Sequence, residues 1–316
     1  MPNPFAPAIS PVTAESTSSG QVTFFPVRKA VGGAPLPDQT IDAIAVEEPL
    51  EIGLAFGAAT FSTRGPATAS AFAPASSPNS APRRETISVT MRTPGHDPEL
   101  AAGFLFAEGI IPRVDAIATA DAESPNRILV TLKDGILPAI EASQRRSVTN
   151  SGCGVCGLPS IESFRRLSGR SAATGAGEGP FIDIDLLYRL PAAGKDRQDV
   201  FNATGGLHAA SLFDDSGRLL AIREDIGRHN AVDKIVGWAG FNRLLPLSSA
   251  ILLLSGRACF ELIQKAARAG IKIIAAIGPP SSLAIRMAEE WDITLVGFLR
   301  EDRLNIYTGA WRLAKK

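Results

Sequence analysis

The chain has 316 residues, a formal net charge of zero and an apolar fraction of 45%. That is enough for one large domain or two modest ones around a sizeable core, and the charge balance argues against a nucleic-acid coat or a binder of acidic membranes. Three cysteines in so long a chain make no disulfide framework and fit a reducing compartment. With no bilayer-length apolar run and no secretory pattern in the first residues, a cytoplasmic globular protein is expected, with no nucleic-acid or membrane partner.

In chain order, residues 1–42 are expected to be mostly a disordered tail, rich in Pro, Ser, Thr and Ala at its start. Residues 43–148 read as a small α+β domain. Strands are expected over 43–56 and 86–92, the second alternating Ile87, Val89 and Met91. Asp97 as N-cap with Pro98 behind it opens a helix that Gly109 stops, and a third strand covers 127–133. Residues 63–84, with Pro66, Pro74, Pro78 and Pro82, read as a flexible surface insertion. Residues 149–180 form a mobile cysteine loop and linker, with a short helix over 159–167.

Residues 181–316 read as an α/β domain. A hairpin joins 208–213 to 218–223 through Asp214-Asp215-Ser216-Gly217. Helices over 228–238, 257–269 and 281–290 then alternate with apolar strands over 250–254, 271–277 and 294–299, which predicts parallel strands covered on both faces.

The chemistry centres on Ser151-Gly152-Cys153-Gly154-Val155-Cys156-Gly157. Glycines let such a loop swing a thiol outward. The pair Cys153 and Cys156 can bind a metal, cycle as a disulfide or carry sulfur as a persulfide. Structural zinc needs about four ligands, and the remaining cysteine, Cys259, stands alone. A thioredoxin-like pair opens a helix directly after a strand, and this pair does not. A mobile thiol carrier fits best, with Arg145 and Arg146 upstream to favour the thiolate.

Three junctions after expected strands form a second group: Glu224 to Asn230, Ser255-Gly256-Arg257, and Gly278 to Ser282. Ligands of open α/β sheets bind where strands end and helices begin. Arg228 and Arg257 can grip phosphate, which points to a phosphate-bearing ligand, although neither a P-loop nor G-x-G-x-x-G is present. Gly and Ser are also ordinary at such junctions. His208, after Thr204-Gly205-Gly206-Leu207, reads as a packed residue, His229 as polar and facing a ligand, and His96 as a turn residue.

Taken together, Ser151 to Gly157, Thr204 to Ala210, Arg223 to Lys234, Ser255-Gly256-Arg257, 261–270, Pro280-Ser281-Ser282 and Val296-Gly297-Phe298 resemble the formate dehydrogenase accessory protein family, FdhD. The resemblance runs from about residue 43 to 307, apart from the insertion. It implies a cytoplasmic sulfurtransferase, homodimeric, with a cytidine-deaminase-like α/β domain (a central sheet covered by helices) beside the smaller N-terminal α+β domain. Such proteins take sulfur from a cysteine desulfurase and deliver it to the molybdenum or tungsten of bis(molybdopterin guanine dinucleotide), bound as substrate for the formate dehydrogenase catalytic subunit; no permanent cofactor and no metal are implied. Cys153 matches the persulfide-bearing cysteine and Cys156 its partner. Phe298, Leu299, Arg300, Glu301, Asp302 and Arg303 match the cofactor-binding segment, to which Arg228, His229, Ser255, Gly256 and Arg257 are added from the junctions. Cys259 stands where the family usually has serine and is given no role. Two alternatives stay open: a cofactor-binding chaperone that transfers no sulfur, and a zinc protein using Cys153, Cys156 and a histidine. Deamination is disfavoured, since His208 is followed by Ala209 and Ala210 with no carboxylate, and residues 255–259 hold one cysteine, not two.

Overall fold

A six-stranded sheet, in the spatial order 305–308, 294–297, 273–276, 251–254, 208–213 and 219–225, and a four-stranded sheet, in the order 83–92, 48–56, 127–132 and 117–124, organise the described residues. The computed structural model describes residues 20–57, 82–140 and 180–314. Cys153, Cys156, the expected helix over 159–167 and nearly all of the insertion lie outside the described residues.

The N-terminal part opens with an antiparallel hairpin, β1 (Val22–Val31) and β2 (Ala34–Ala45), turned at Gly32 and Gly33, both with positive φ. This corrects the expectation of tail over 22–42, residues 1–19 lying outside the described residues: the Gly-Gly pair turns the chain into a hairpin. β3 (Glu48–Phe56), β4 (Arg83–Arg92), β5 (Ile117–Ser124) and β6 (Arg127–Leu132) build the four-stranded sheet. Helix α1 (Asp97–Ala107) packs below it, and its N-cap position falls to His96 rather than Asp97. Asp97 instead accepts from the buried Arg92 guanidinium at 3.1 and 3.0 Å, tying the helix start to the end of β4.

The second part runs β7 (Ile182–Asp183), α2 (Ile184–Lys195), α3 (Asp199–Thr204), β8 (His208–Phe213), β9 (Leu219–Asp225), α4 (Arg228–Phe241), β10 (Ile251–Leu254), α5 (Phe260–Arg268), β11 (Ile273–Ala276), α6 (Ser282–Glu290), β12 (Thr294–Gly297), β13 (Asn305–Thr308) and β14 (Leu313–Ala314). β10, β11 and β12 are parallel, as the alternation predicts, whereas β8, β9 and β13 join antiparallel, so the sheet is mixed. Alternate strand residues face opposite layers. Leu252, Leu254, Ile274 and Ala276 meet α4, α5 and α6 in the main core. Ile251, Leu253, Ile273, Ala275 and Val296 meet Leu186, Leu187 and Leu190 of α2 on the other side. Among the described residues, no helix is long and apolar enough to cross a membrane.

The main core is shared by both parts, since it joins Leu50, Ile52 and Leu100 to Ala231, Val232 and Ile235. The joint is a close crossing of α1 with α4. A Cβ on Gly103 would collide with the Asp233 carbonyl, and one on Gly237 with the Glu99 carbonyl. Glycine at both contact points lets two backbones approach to a distance no side chain permits. Arg223 of β9 adds a bidentate pair to Glu99 of α1, its Nη2 donating to Oε1 at 2.7 Å.

Above the crossing lies a buried polar knot. Lys234 Nζ, fully buried, donates to Asp225 Oδ2 at 2.7 Å, to the Thr93 carbonyl at 3.0 Å and to the Glu224 carbonyl at 3.2 Å. Asp225, also fully buried, accepts in addition from Gly227 N–H at 2.8 Å, Asn230 Nδ2 at 3.0 Å and Thr93 N–H at 3.3 Å. Asn230 in turn donates to the Met91 carbonyl at 2.8 Å, and Ile226 N–H to Thr93 Oγ1 at 3.2 Å. The end of β4, the end of β9 and the start of α4 are thereby fixed to one another.

Two predictions follow the two parts of this joint. Gly103→Ala and Gly237→Ala should each cost about 3 kcal/mol or more in urea unfolding, while Gly57→Ala, whose Cβ meets nothing within 4 Å, should stay within about 0.5 kcal/mol. Lys234→Met should cost about 3–5 kcal/mol by stranding the Asp225 charge; adding Asp225→Asn should recover part of the loss, and a double variant no more stable than Lys234→Met would mean that the pair is not what the single change breaks.

Candidate cofactor-binding site

The parallel pairing of β10, β11 and β12 brings their carboxyl ends to one edge of the sheet. Because β8 is antiparallel to β10, its first residue, His208, arrives at the same edge, paired there with Asp225, the last residue of β9. Three helices start from this edge: α4 after Gly227, α5 after Cys259 and α6 after Ser281, whose hydroxyl caps Ala284 N–H at 3.2 Å. Their free N–H groups and partial positive charge suit an anionic ligand. All three junctions expected from the sequence are therefore neighbours in space.

The loops beyond the strands continue the sheet's hydrogen bonding. Ser255 N–H donates to the Ala209 carbonyl at 3.0 Å, Ile277 N–H to that of Leu254 at 2.9 Å, Gly278 N–H to that of Gly256 at 2.9 Å, and Phe298 N–H to that of Gly278 at 3.2 Å. A Cβ on Gly278 would stand 2.9 Å from Arg257 N and from the Gly256 carbonyl oxygen, and one on Gly256 would stand 3.2 Å from His208 Nδ1. Close approach thus demands glycine here, and the result is a rigid backbone ledge.

The predicted residues occupy this ledge in different ways. Arg257 is exposed at its rim. Ser255 is half-buried and its Oγ accepts from Ala209 N–H at 2.8 Å. Arg228, at the start of α4, has a buried Nε with no hydrogen-bond partner among the described residues. Phe298 is 41% exposed at a φ of 52°. Arg300 is exposed, and its Nη1 donates to the Ile277 and Leu299 carbonyls at 2.8 and 2.7 Å. Glu301, Asp302 and Arg303 are exposed in a turn closed by Arg300 N–H to the Arg303 carbonyl at 2.8 Å. Leu299 differs: its side chain is fully buried in the core layer beneath α2, so only its backbone can meet a ligand.

His208, read from the sequence as a packed residue, is half-buried with its ring against Gly256. Burial pushes its pKa below the usual value, and Arg228, Arg257 and His229 push it further the same way. A neutral imidazole among cations can accept from, or donate to, a ligand without adding charge.

Two residues that sequence reasoning left without a role also stand at this edge. His229 Nε2 lies 3.3 Å from Cys259 Sγ and 3.8 Å from Glu261 Oε2. Burial works against a charge on His229, but the Cys259 and Glu261 contacts outweigh it and raise its pKa to about 9. Burial likewise opposes the Glu261 carboxylate, yet His229 and Cys259 hold its pKa down at about 2. The sequence signal was the Cys-x-Glu at a helix start, informative only once α4 and α5 are known to begin side by side.

The same chain was compared with known proteins. It is 47% identical over 237 residues to a protein named sulfur carrier protein FdhD from Mycolicibacterium paratuberculosis, covering 72% of this chain and 86% of that one. It is 42% identical over 292 residues to a protein of the same name from Mycobacterium tuberculosis, covering 87% and 94%. A crystal structure described as a formate dehydrogenase accessory protein, from Desulfotalea psychrophila, superposes with a TM-score of 0.67 over 93% of this chain and all of that one; at 22% identity the likeness is one of fold. The sequence model of the FdhD/NarQ family matches residues 82–314, a span that holds the ledge, the buried knot and the cysteine loop alike, and the chain belongs to that family.

Proposed function

We propose that this protein carries sulfur in the maturation of formate dehydrogenase, taking it as a persulfide from a cysteine desulfurase and transferring it to the molybdenum or tungsten of bis(molybdopterin guanine dinucleotide). The observation that carries the cofactor half of this reading is the buried Nε of Arg228 at a helix start, without a partner among the described residues, beside the exposed Arg257 on a ledge walled by glycine. Buried polar atoms are almost always satisfied, and an oxyanion of the pyrophosphate or guanine nucleotide end would supply the missing acceptor. Further support comes from the relatives, which bear the name sulfur carrier protein.

In this mechanism the Cys153 thiolate attacks the outer sulfur of the desulfurase persulfide. The S–S bond breaks, the desulfurase cysteine leaves as a thiolate, and Cys153 holds the persulfide. The terminal sulfane sulfur would then pass to the metal of the bound substrate, which would give up two electrons to bring it to the sulfide level, and Cys153 would leave as a thiolate. Cys156 assists or resolves. The ledge's part is positional: arginines and helix N–H groups hold the nucleotide ends so that the metal centre is presented to the thiol.

The cytidine-deaminase-like description of the fold belongs to the same reading. It is supported by the antiparallel β8–β9 pair continued by three parallel strands with helices between them. A homodimer is proposed as well; the β1–β2 hairpin leaves apolar side chains exposed on both its faces, Phe24 and Ile41 on one and Phe25 and Ile44 on the other.

Incubation with desulfurase and sulfur-labelled cysteine should place reductant-labile label on this protein, and Cys153→Ala should abolish both the label and the activation of formate dehydrogenase. A protein that restores the enzyme without ever accepting label is instead a cofactor-binding chaperone. Arg257→Ala should weaken guanine-nucleotide binding roughly 10- to 100-fold by calorimetry, the scale of one charge-assisted hydrogen bond; an unchanged affinity would move the binding site off this ledge.

A further inference from the structure

His229, Cys259 and Glu261 reach one point from two helix starts. His229 is the second residue of α4, Cys259 the N-cap of α5 and Glu261 the second residue of α5. Their nitrogen, sulfur and oxygen atoms all lie within 4.8 Å of one another. Zinc–sulfur bonds of about 2.3 Å and zinc–nitrogen bonds of about 2.0–2.1 Å, set at the tetrahedral angle, separate sulfur from nitrogen by about 3.5 Å. The observed Nε2 to Sγ distance is 3.3 Å and the Nε2 to Oε2 distance 3.8 Å. These separations put the three donor atoms within reach of one ion through side-chain adjustment.

The chemistry of the donors narrows the ion. Magnesium and calcium take oxygen ligands, whereas a thiolate, an imidazole and a carboxylate together suit zinc and its neighbours. Charge also balances: thiolate and carboxylate supply two negative charges to a divalent ion. Lys265, the nearest lysine on α5, is already committed to Asp233 at 2.9 Å and Glu108 at 3.1 Å. Side-chain exposures of 16% for His229 and 18% for Glu261 leave the site shielded but reachable. The start of α4 is held rigidly, because the next residue, Asn230, bonds to Asp225 and to the Met91 carbonyl.

We propose that His229, Cys259 and Glu261 bind one zinc-class divalent ion, with a fourth position open to water or to an anionic or sulfur ligand at the sheet edge. Binding displaces the Cys259 thiol proton and any proton on His229 to solvent. This site is separate from the loop thiols and does not rest on the sulfur-transfer reading.

The test uses the full chain carrying Cys153→Ser and Cys156→Ser, freed of metal by chelation, so that the loop cannot supply thiolates. Zinc titrated by calorimetry should bind with a stoichiometry of one per chain. Cobalt(II) should give a thiolate-to-cobalt charge-transfer band with the visible absorption of a tetrahedral centre. Adding Cys259→Ser should remove that band and weaken zinc by about 100-fold or more, since loss of a mere outer partner already costs 10- to 100-fold. His229→Gln, a second variant in case the first unfolds, should weaken zinc similarly while the thiolate band shifts or fades. Absence of zinc binding, absence of the band, or equal affinity in the variants overturns the proposal. Sulfur labelling of Cys153 in the unmodified chain is read separately, so failure of one reading is not mistaken for failure of the other.

Discussion

The pairing of Asp225 with Lys234 governs where everything at the sheet edge can stand. Both groups are fully buried, and neither faces a ligand. A buried ion pair is a poor source of net stability, because desolvation offsets most of its attraction. What it supplies here is geometry. Asp225 has its bonding capacity filled by the start of α4, by Thr93 just beyond β4 and by Lys234, and Lys234 spends all three of its protons on Asp225 and Glu224 of β9 and on Thr93. Any rotation of α4 would strand several buried charges or donors at once. Arg228 and His229, at the start of the same helix as Lys234, inherit that fixed position.

The N-terminal sheet acts as a buttress for the site rather than as a second site. Its contacts reach the sheet edge through β4 and α1: Met91 and Thr93 enter the buried knot, Glu99 clasps Arg223, and Gly103 meets the α4 backbone. The close helix crossing removes side chains from between α1 and α4, so a shift of one helix is passed to the other with little slack. This arrangement explains how a stretch remote from the ledge can share a core with it and still carry none of the expected binding residues.

Much of this was readable before any coordinates. Ile251 to Leu254 and Ile273 to Ala276 are apolar at every position because both of their faces are covered, and the Gly-Ser-Arg junctions mark where those strands give way to helices. The hairpin over Val22–Ala45 escaped because its Gly-Gly turn adjoins a Pro- and Ser-rich stretch and many of its residues are exposed, so no apolar periodicity stood out. Helix α2 escaped for a local reason: Pro191 sits inside it and reads as a breaker, although Asp183 capping Asp185 N–H at 3.0 Å and the spacing of Leu186, Leu187 and Leu190 mark a helix. The meeting of His229 with Cys259 lies 30 residues apart in sequence, and only the adjacency of β9 and β10 across β8 makes it physical. No spacing rule contains that information.

The electrostatic pattern of the edge follows from these placements. Arg228, Arg257 and His229 converge on His208, and the cost of that convergence is visible in the lowered pKa of His208, which is kept neutral by its burial and its neighbours. Carboxylates near the knot are already consumed: Asp225 by Lys234, Glu261 by His229, Glu99 by Arg223. On the rim Arg257, Arg300 and Arg303 stand exposed beside Glu301 and Asp302, and the buried Nε of Arg228 has no acceptor among the described residues. A protein with zero net charge thus sets Arg228 and Arg257 where helices begin. On the proposed reading, an anion with several oxygens would give the Arg228 Nε an acceptor and meet the free N–H groups of the helix starts.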